Sequence, residues 1–513
     1  MIPAAPARMR EIWLLAATFL VAVAGLIYEL IAATLSSYLL GDSVRQFSLV
    51  IGVFLAAMGL GAWLSRFVGR ALSGFVWAQI ALGLLGGFMA PLLYFSYAMI
   101  GVVETPLFGL LILIGALSGM EIPLIARILK EIGAAEFRFE NVLSVDYIGA
   151  LVASILFPLL ILPHLGLMSA SLAFGAMNLA VAGLSLWIFR REAPRAAWPV
   201  WALALACTLG ALWQAERMVG AAEARLYEDD IILTAQSPWQ RITVTRFRDR
   251  VRLFLDGSIQ FDSQDEYRYH EALVHPAMGL VAAPRRVLIL GGGDGLATRE
   301  VLRHPEVESV TLVDLDPMVT DLFRNQPELS ALSSGALRDP RVTILNMDAW
   351  KFVETDRGTW DVIIADLPDP KSIALSKLYT REFYAMTLGH LAPRGAMVVQ
   401  SGSPLFARDA YWSVIRTLRL TRNPQVPGGA LAVLPYHVFL PSFGDWGFAL
   451  VTQAPLDGAQ PVLPGGLRYL TPATWAAAQA FGPDENETAA APNSLRSHAL
   501  VSYYNDGWDR WFR

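Results

Sequence analysis

The chain has 513 residues, 54% of them hydrophobic, a net charge of −5 and one cysteine. That length exceeds one ordinary domain, and a mean hydropathy of +0.43 is not that of a soluble globule. The mild negative charge leaves no electrostatic footprint for nucleic acid, and the lone Cys207 excludes an intrachain disulfide and a cysteine-rich metal site.

Charged residues are sparse between 12 and 215 and ordinary in number afterwards. A membrane part joined to a water-exposed part follows. A spanning helix takes about 20 mostly apolar residues, and about seven runs qualify: roughly 12–34, 46–65, 74–99, 106–126, 145–163, 166–188 and 197–214. The first does not read as a signal peptide, because Glu29 interrupts it and no clear small-residue cleavage site follows. Gly52, Ala56, Gly59 and Gly61 form a small-residue stripe suited to close helix packing in lipid. Glu29, Glu121 and Asp146 fall in or at the ends of spans, where a charge is costly and turns toward the bundle interior. Such acids either form a cation or proton site or pair with Arg127, Arg138 or backbone donors.

Arginines and lysines cluster before the first run and after the second, fourth and sixth, which puts the N-terminus in the cytoplasm. Seven crossings then put the C-terminal domain on the far side, whereas adenosyl donors are made in the cytoplasm. The expected location is the inner membrane, multi-pass, with the side of the catalytic domain left open.

A polar junction ends the helical domain, 1–218. Residues 219–282 read as a small β-hairpin domain: Gln240–Thr245 and Val251–Leu255 alternate as strands do, Asp256-Gly257 marks a turn, and 264–281 look helical. From 283 to 455 strands alternate with helices, as in a doubly wound α/β sheet. Five strands are expected: Val287–Leu290, Val310–Asp314, Val342–Leu345, Asp361–Asp366 and Ala396–Gln400. The extension 456–513 contains a polar stretch, 482–492, read as a mobile loop, and an aromatic end (Tyr503-Tyr-Asn-Asp-Gly-Trp) suited to docking on the domain or a membrane surface.

The chemistry-bearing residues fall at the carboxyl ends of the strands, where ligands of such sheets bind. The turn Gly291-Gly-Gly293-Asp-Gly295 lets backbone approach a ligand, and Asp294 within it would repel a phosphate and attract a cationic tail. Asp314, about 20 residues on, suits ribose hydroxyls, and Asp348 can accept from an adenine amino group. Asp366 and Asp369, on a proline-stiffened loop, suit an amine: one takes a proton, the other holds charge. Tyr269-His270-Glu271 lies in a polar helix and reads as a substrate wall.

Together these residues resemble the spermidine synthase (polyamine aminopropyltransferase) family, specifically its branch with fused N-terminal transmembrane helices. The likeness runs from about 237 to 452. It includes Ser237-Pro-Trp-Gln-Arg-Ile-Thr-Val244, Leu255-Asp-Gly-Ser-Ile-Gln260, Asp265-Glu-Tyr-Arg-Tyr-His-Glu271 with His275, the glycine turn, Asp314, Asp348, Asp366-x-x-Asp369-Pro370, Leu378–Tyr384 and Trp446-Gly-Phe448.

The resemblance implies a Rossmann-like, class I methyltransferase-type domain behind an all-α transmembrane bundle. It also implies transfer of the aminopropyl group of decarboxylated S-adenosylmethionine to putrescine or a related amine, releasing methylthioadenosine, with no metal and no further cofactor. Asp366 would accept the proton. Asp369, Asp294 and His270, with Tyr269 and Gln260 nearby, would line the amine or the aminopropyl tail. Gln240, Asp314, Asp348 and Ala349 would hold the thioadenosine. A homodimer is the expected assembly.

The chain departs from the family pattern at Trp239, Asp314, Ala349, Ile373 and Pro441-Ser-Phe443, the last where a tyrosine often faces the amine. Two rival functions are an S-adenosylmethionine-dependent methyltransferase, disfavoured by Asp294 beside the intact donor's carboxylate, and a membrane polyamine sensor or transporter, disfavoured by the retained Asp366 and Asp369.

Overall fold

A computed structural model describes residues 7–40, 43–100, 103–133, 139–215, 217, 227, 229–422, 431–456, 458 and 460–512. It divides into two compact units, 1–230 and 231–513.

The first unit is helical: α1 (Ala7–Leu40), α2 (Ser43–Leu64), α3 (Ala71–Gly87), α4 (Met89–Ile100), α5 (Glu104–Glu131), α6 (Phe139–Leu156), α7 (Leu162–Ile188) and α8 (Ala197–Trp213). A π-helical turn, Phe157–Ile161, joins α6 to α7. Five helical runs are long and apolar enough to cross a membrane: Arg8–Ser37, Arg45–Phe67, Ala71–Tyr97, Glu104–Glu131 and Phe139–Ile188.

The last run merges two of the seven runs expected from sequence and contains 50 residues. At 1.5 Å per residue it would measure about 75 Å if straight, far more than the roughly 30 Å of a hydrocarbon core. Gly166, with φ 67° and ψ 173°, breaks the helical path and leaves two shorter rods. The seventh run, α8, has 17 residues, short for a span. One member of the small-residue stripe, Gly61, serves as expected. A Cβ on Gly61 would overlap the Ala116 carbonyl of α5, and one on Gly119 the Met58 carbonyl of α2, so these backbones touch; Gly52 and Gly59 face nothing within 4 Å.

The second unit opens with four antiparallel strands rather than one hairpin: β1 (Asp230–Gln236), β2 (Arg241–Phe247), β3 (Arg250–Leu255) and β4 (Ser258–Asp262), in that order across the sheet. Helix α9 (Glu266–Leu280) follows. The larger sheet is built from β5 (Arg286–Gly291), α10 (Leu296–Val301), β6 (Ser309–Asp314), α11 (Pro317–Asn325), α12 (Pro327–Leu332), β7 (Val342–Asn346), α13 (Ala349–Thr355), β8 (Trp360–Asp366), α14 (Ile373–Ser376), α15 (Arg381–Gly389), β9 (Leu391–Gly402), α16 (Arg408–Leu420), β10 (Ala432–Leu440) and β11 (Gly444–Thr452).

Its order is β10-β11-β9-β8-β5-β6-β7, parallel from β9 to β7, with β10 and β11 added antiparallel. The last two were not among the strands expected from sequence. The order reverses at β5, so the ends of β5, β6 and β8 flank the crevice where such sheets bind ligands.

Two short helices close the chain, α17 (Pro472–Ala477) and α18 (Ala499–Phe512). The stretch read as a mobile loop runs along α16: Trp412 Nε1 donates to the Glu485 carbonyl at 2.8 Å, Ser413 Oγ to Ala491 at 2.7 Å, and Asn493 Nδ2 to Ser376 and Tyr379. Further upstream, Glu271 of α9 accepts the backbone N–H groups of Arg468, Tyr469 and Leu470 at 2.7–2.8 Å. Glu271→Ala strands three donors, and a loss of about 2–4 kcal/mol is expected. The urea midpoint of the catalytic unit, followed by tryptophan fluorescence in the full chain, should fall accordingly; an unmoved midpoint refutes this role.

Candidate active site

Parallel pairing sets Gly291 opposite Asp366, and a Cβ on Gly291 would overlap the Asp366 carbonyl, so only glycine lets β5 and β8 meet there. Beyond it the chain takes positive φ at Gly292 and Gly295 and turns into α10. Gly293 donates its N–H to Asp314 Oδ2 at 3.0 Å, and a Cβ on Gly293 would fall 2.6 Å from that oxygen. Asp314 Oδ1 accepts from the Asp316 N–H at 2.9 Å. Burial pushes the Asp314 carboxyl up to about 6, against these two N–H donors, which favour its charge.

Gln240, from the β1–β2 turn, donates through Nε2 to Asp316 Oδ2 at 3.0 Å, which brings it to the end of β6. Asp348 caps α13 through the Trp350 N–H at 2.7 Å and pairs with Lys377 Nζ at 2.7 Å; Ala349 is the first residue of that helix. Gln240, the glycine turn, Asp314, Asp348 and Ala349 therefore line adjacent strand ends, as the sequence suggests.

The second cluster is acidic and buried. Tyr269 of α9 donates its hydroxyl to Asp366 Oδ1 at 2.6 Å. Burial, with Asp294 adding like charge, pushes Asp366 up to about 6, while His270 and the Tyr269 hydroxyl pull the other way. Asp294 accepts from the Leu296 N–H at 2.9 Å at the start of α10. Its pKa is raised by burial, against the nearby His270. Burial also raises Asp369, against the Tyr504 hydroxyl, Lys371 and Gln400.

Burial disfavours charge on His270, but Glu266, 2.8 Å from Nδ1, with Asp294 and Asp366 nearby, outweighs burial and raises its pKa above the usual imidazole range. Arg299 holds Glu266 through two nitrogens at 2.9 and 3.0 Å. Three acids and a histidine whose protonated form they favour thus gather at the sheet's rim.

Gln260 is less well placed: its Nε2 donates to the Ser258 carbonyl at 3.1 Å, on its own strand. The same turn reaches the Asp369 loop by another route, the bond from Lys371 Nζ to Ser258 Oγ.

Sequence reasoning missed the supports. Gln400, at the end of β9, donates to Asp369 Oδ1 at 3.3 Å and to the Leu367 carbonyl at 2.6 Å, and accepts from Trp446 Nε1 at 3.2 Å. Its place at a strand end was a visible signal. Tyr504 of α18 donates its hydroxyl to Asp369 Oδ2 at 2.7 Å, across 135 residues of sequence. Nothing local in the sequence announces that contact.

An aspartate at about 6 rather than 3.8 favours its neutral form in the fold, so ionised Asp366 costs stability above both values and nothing below both. Asp366→Asn should stabilise the chain at pH 8 by up to about 3 kcal/mol and leave it unchanged near pH 3, read as thermal midpoints at the two pH values. A lower midpoint at pH 8 contradicts this electrostatic account.

A family model described as the spermine/spermidine synthase domain matches residues 266–452. A polyamine aminopropyltransferase of Leptospira interrogans is 43% identical over 491 residues, covering 95% of this chain and 96% of that one. Polyamine aminopropyltransferase 2 of Ralstonia nicotianae is 43% identical over 509 residues, covering 96% and 98%. A crystal structure of a spermidine synthase in complex with the transition-state analogue AdoDATO superposes with a TM-score of 0.45 at 29% identity, over 49% of this chain and 86% of that one. Coverage this complete carries both sequence relatives through the helical unit as well.

Proposed function

The chain belongs to the spermine/spermidine synthase family and is an aminopropyltransferase, and on that premise we propose that it transfers the aminopropyl group of decarboxylated S-adenosylmethionine to putrescine or a related amine, releasing methylthioadenosine. The observation that carries this reading is the group of three buried carboxylates, Asp294, Asp366 and Asp369, at the strand ends beside the glycine turn. Such a group is costly without cations and suits a sulfonium donor with an ammonium tail together with an amine acceptor.

In this reading Gln240, Gly291, Gly293, Asp314, Asp348 and Ala349 hold the thioadenosine. Asp294 and His270 border the aminopropyl tail, and Tyr269, Asp369 and Gln260 the amine. The amine nitrogen attacks the carbon bonded to sulfur. The C–S bond breaks with its electron pair going to sulfur, and the product nitrogen yields its proton to Asp366. Positioning supplies much of the acceleration, because it turns a bimolecular displacement into an oriented one. Burial raises the Asp366 carboxyl and lowers the pKa of an enclosed ammonium, so the same desolvation narrows the proton-transfer gap from both sides.

We further propose that the helical unit lies in the inner membrane and crosses it several times. Leu49, Leu55, Leu60 and Trp63 of α2 and Ile148, Leu151 and Ile155 of α6 are exposed, while Gln79, Glu121 and Asn178 are buried. Apolar residues outside and polar residues within suit lipid as the surrounding solvent. The working assembly in this proposal is a homodimer.

Detergent-purified full chain given decarboxylated S-adenosylmethionine and putrescine should release methylthioadenosine and spermidine, detected by mass spectrometry. Asp366→Asn should abolish both, and the wild-type kcat/KM should rise with pH through about 6, where Asp366 of the free protein ionises. Donor binding without product across a panel of amines would sink the reading.

Tyr504→Phe removes one hydrogen bond to Asp369. A rise in amine KM of about 3- to 10-fold, with donor KM unchanged, is expected from a bond of about 0.5–1.5 kcal/mol. An equal rise in both constants would place Tyr504 in general folding instead.

A further inference from the structure

The helical unit holds a polar cluster that aminopropyl transfer does not use. Glu121 of α5 is buried, and its Oε1 accepts from Gln79 Nε2 of α3 at 2.5 Å. Asn178 of α7 donates through Nδ2 to the Tyr28 hydroxyl of α1 at 3.2 Å. Tyr28 and Asp146 both lie within electrostatic reach of Glu121. Helices α1 and α3 each pack against both α5 and α7, so Tyr28, Gln79, Glu121 and Asn178 lie on the four helices of one ring.

Gln79 and Asn178 are 0% and 1% exposed, yet Gln79 Oε1 and Asn178 Oδ1 have no hydrogen-bond partner, nor does Ser118 Oγ one turn before Glu121. Among the described residues no Lys, Arg or His pairs with Glu121. Arg127, one of the partners the sequence offered, gives its guanidinium to the Ser65, Val68 and Gly69 carbonyls; Arg138, the other, lies outside the described residues.

The unmet acceptors are thus two amide oxygens and a hydroxyl, beside a buried carboxylate that accepts from Gln79 and has no cationic partner among the described residues. Each buried acceptor left unmet costs about 1–3 kcal/mol, and buried charges are ordinarily paired or coordinate a metal. A cation at Glu121 answers the buried charge and offers the neighbouring amide oxygens a common partner, whereas a proton on Glu121 answers the charge and can donate to one of them at most.

We propose that the bundle holds a small cation, either an alkali ion or the ammonium end of an amine, at Glu121 with the amide oxygens of Gln79 and Asn178 as further ligands. The site is separate from the catalytic carboxylates, and the proposal stands whether or not aminopropyl transfer is the reaction.

The test is equilibrium dialysis of the detergent-solubilised full chain with radiolabelled sodium and, separately, radiolabelled putrescine, comparing wild type with Glu121→Gln. The wild type is expected to retain one more bound cation per chain than the variant, while catalytic-site binding, common to both, cancels. An excess of sodium identifies an alkali site and an excess of putrescine an ammonium site. Equal retention of both probes overturns the proposal.

Should Glu121→Gln fail to give a monodisperse protein with a cooperative thermal transition, the wild type answers alone. Carbodiimide labelling of Glu121, mapped by mass spectrometry, should slow by the factor 1 + [L]/Kd as the bound cation is added. Labelling that responds to pH but to neither sodium nor putrescine shows a proton site and overturns the proposal.

Discussion

Like charge held out of water is the constraint on which the catalytic unit depends. Asp294, Asp314 and Asp366 sit at adjoining strand ends, and burial raises each of their pKa values. Much of the surrounding structure makes that arrangement tolerable. Glu266, held by Arg299, fixes His270 and favours its protonated form beside two of the acids. The Gly293 and Asp316 N–H groups neutralise part of Asp314. Tyr269, Gln400 and Tyr504 each donate to a carboxylate of the Asp366–Asp369 loop. The site is therefore a preorganised deficit of positive charge, stabilised enough to fold and not enough to be neutral without a substrate.

Much of this was legible in the sequence because it is local. The glycine turn, the acids after each parallel strand and the Asp366–Asp369 spacing are signals that a strand-turn-helix pattern makes readable. Strands β10 and β11 were not, for a physical reason. Pro435 interrupts an otherwise strand-like run, and proline demotes a strand in sequence reading; β10 lies at the sheet edge, where a missing N–H is tolerated. Stretch 482–492 reads as mobile by composition, yet its carbonyls accept from α16 side chains, pairings that composition does not encode. Tyr504 was visible as an aromatic residue and invisible as a partner of Asp369.

The helical character of the first unit was legible, while the number of runs was not: about seven were expected and, among the described residues, five are long and apolar enough to span. The break at Gly166 falls where the sequence already separates the runs 145–163 and 166–188. The small-residue stripe shows another limit: composition names Gly52, Gly59 and Gly61 alike, and helix phase decides that Gly61 meets a neighbour. The acids were visible as anomalies, and only their surroundings show that Glu121 meets the Gln79 amide rather than an arginine.

The spacing of the site's bonds along the chain also orders its assembly. The Gly293–Asp314 contact spans 21 residues, the Tyr269–Asp366 bond 97 and the Tyr504–Asp369 bond 135. Closing a longer loop costs more entropy and slows the search for the contact. The glycine turn and Asp314 can therefore meet within a short βαβ segment, whereas Gln240, 76 residues from Asp316, and the donors to Asp366 and Asp369 come from distant parts of the chain. The rim of the sheet is thus half local and half long-range, and a truncation at the C-terminus that removes Tyr504 leaves the local half its own contacts.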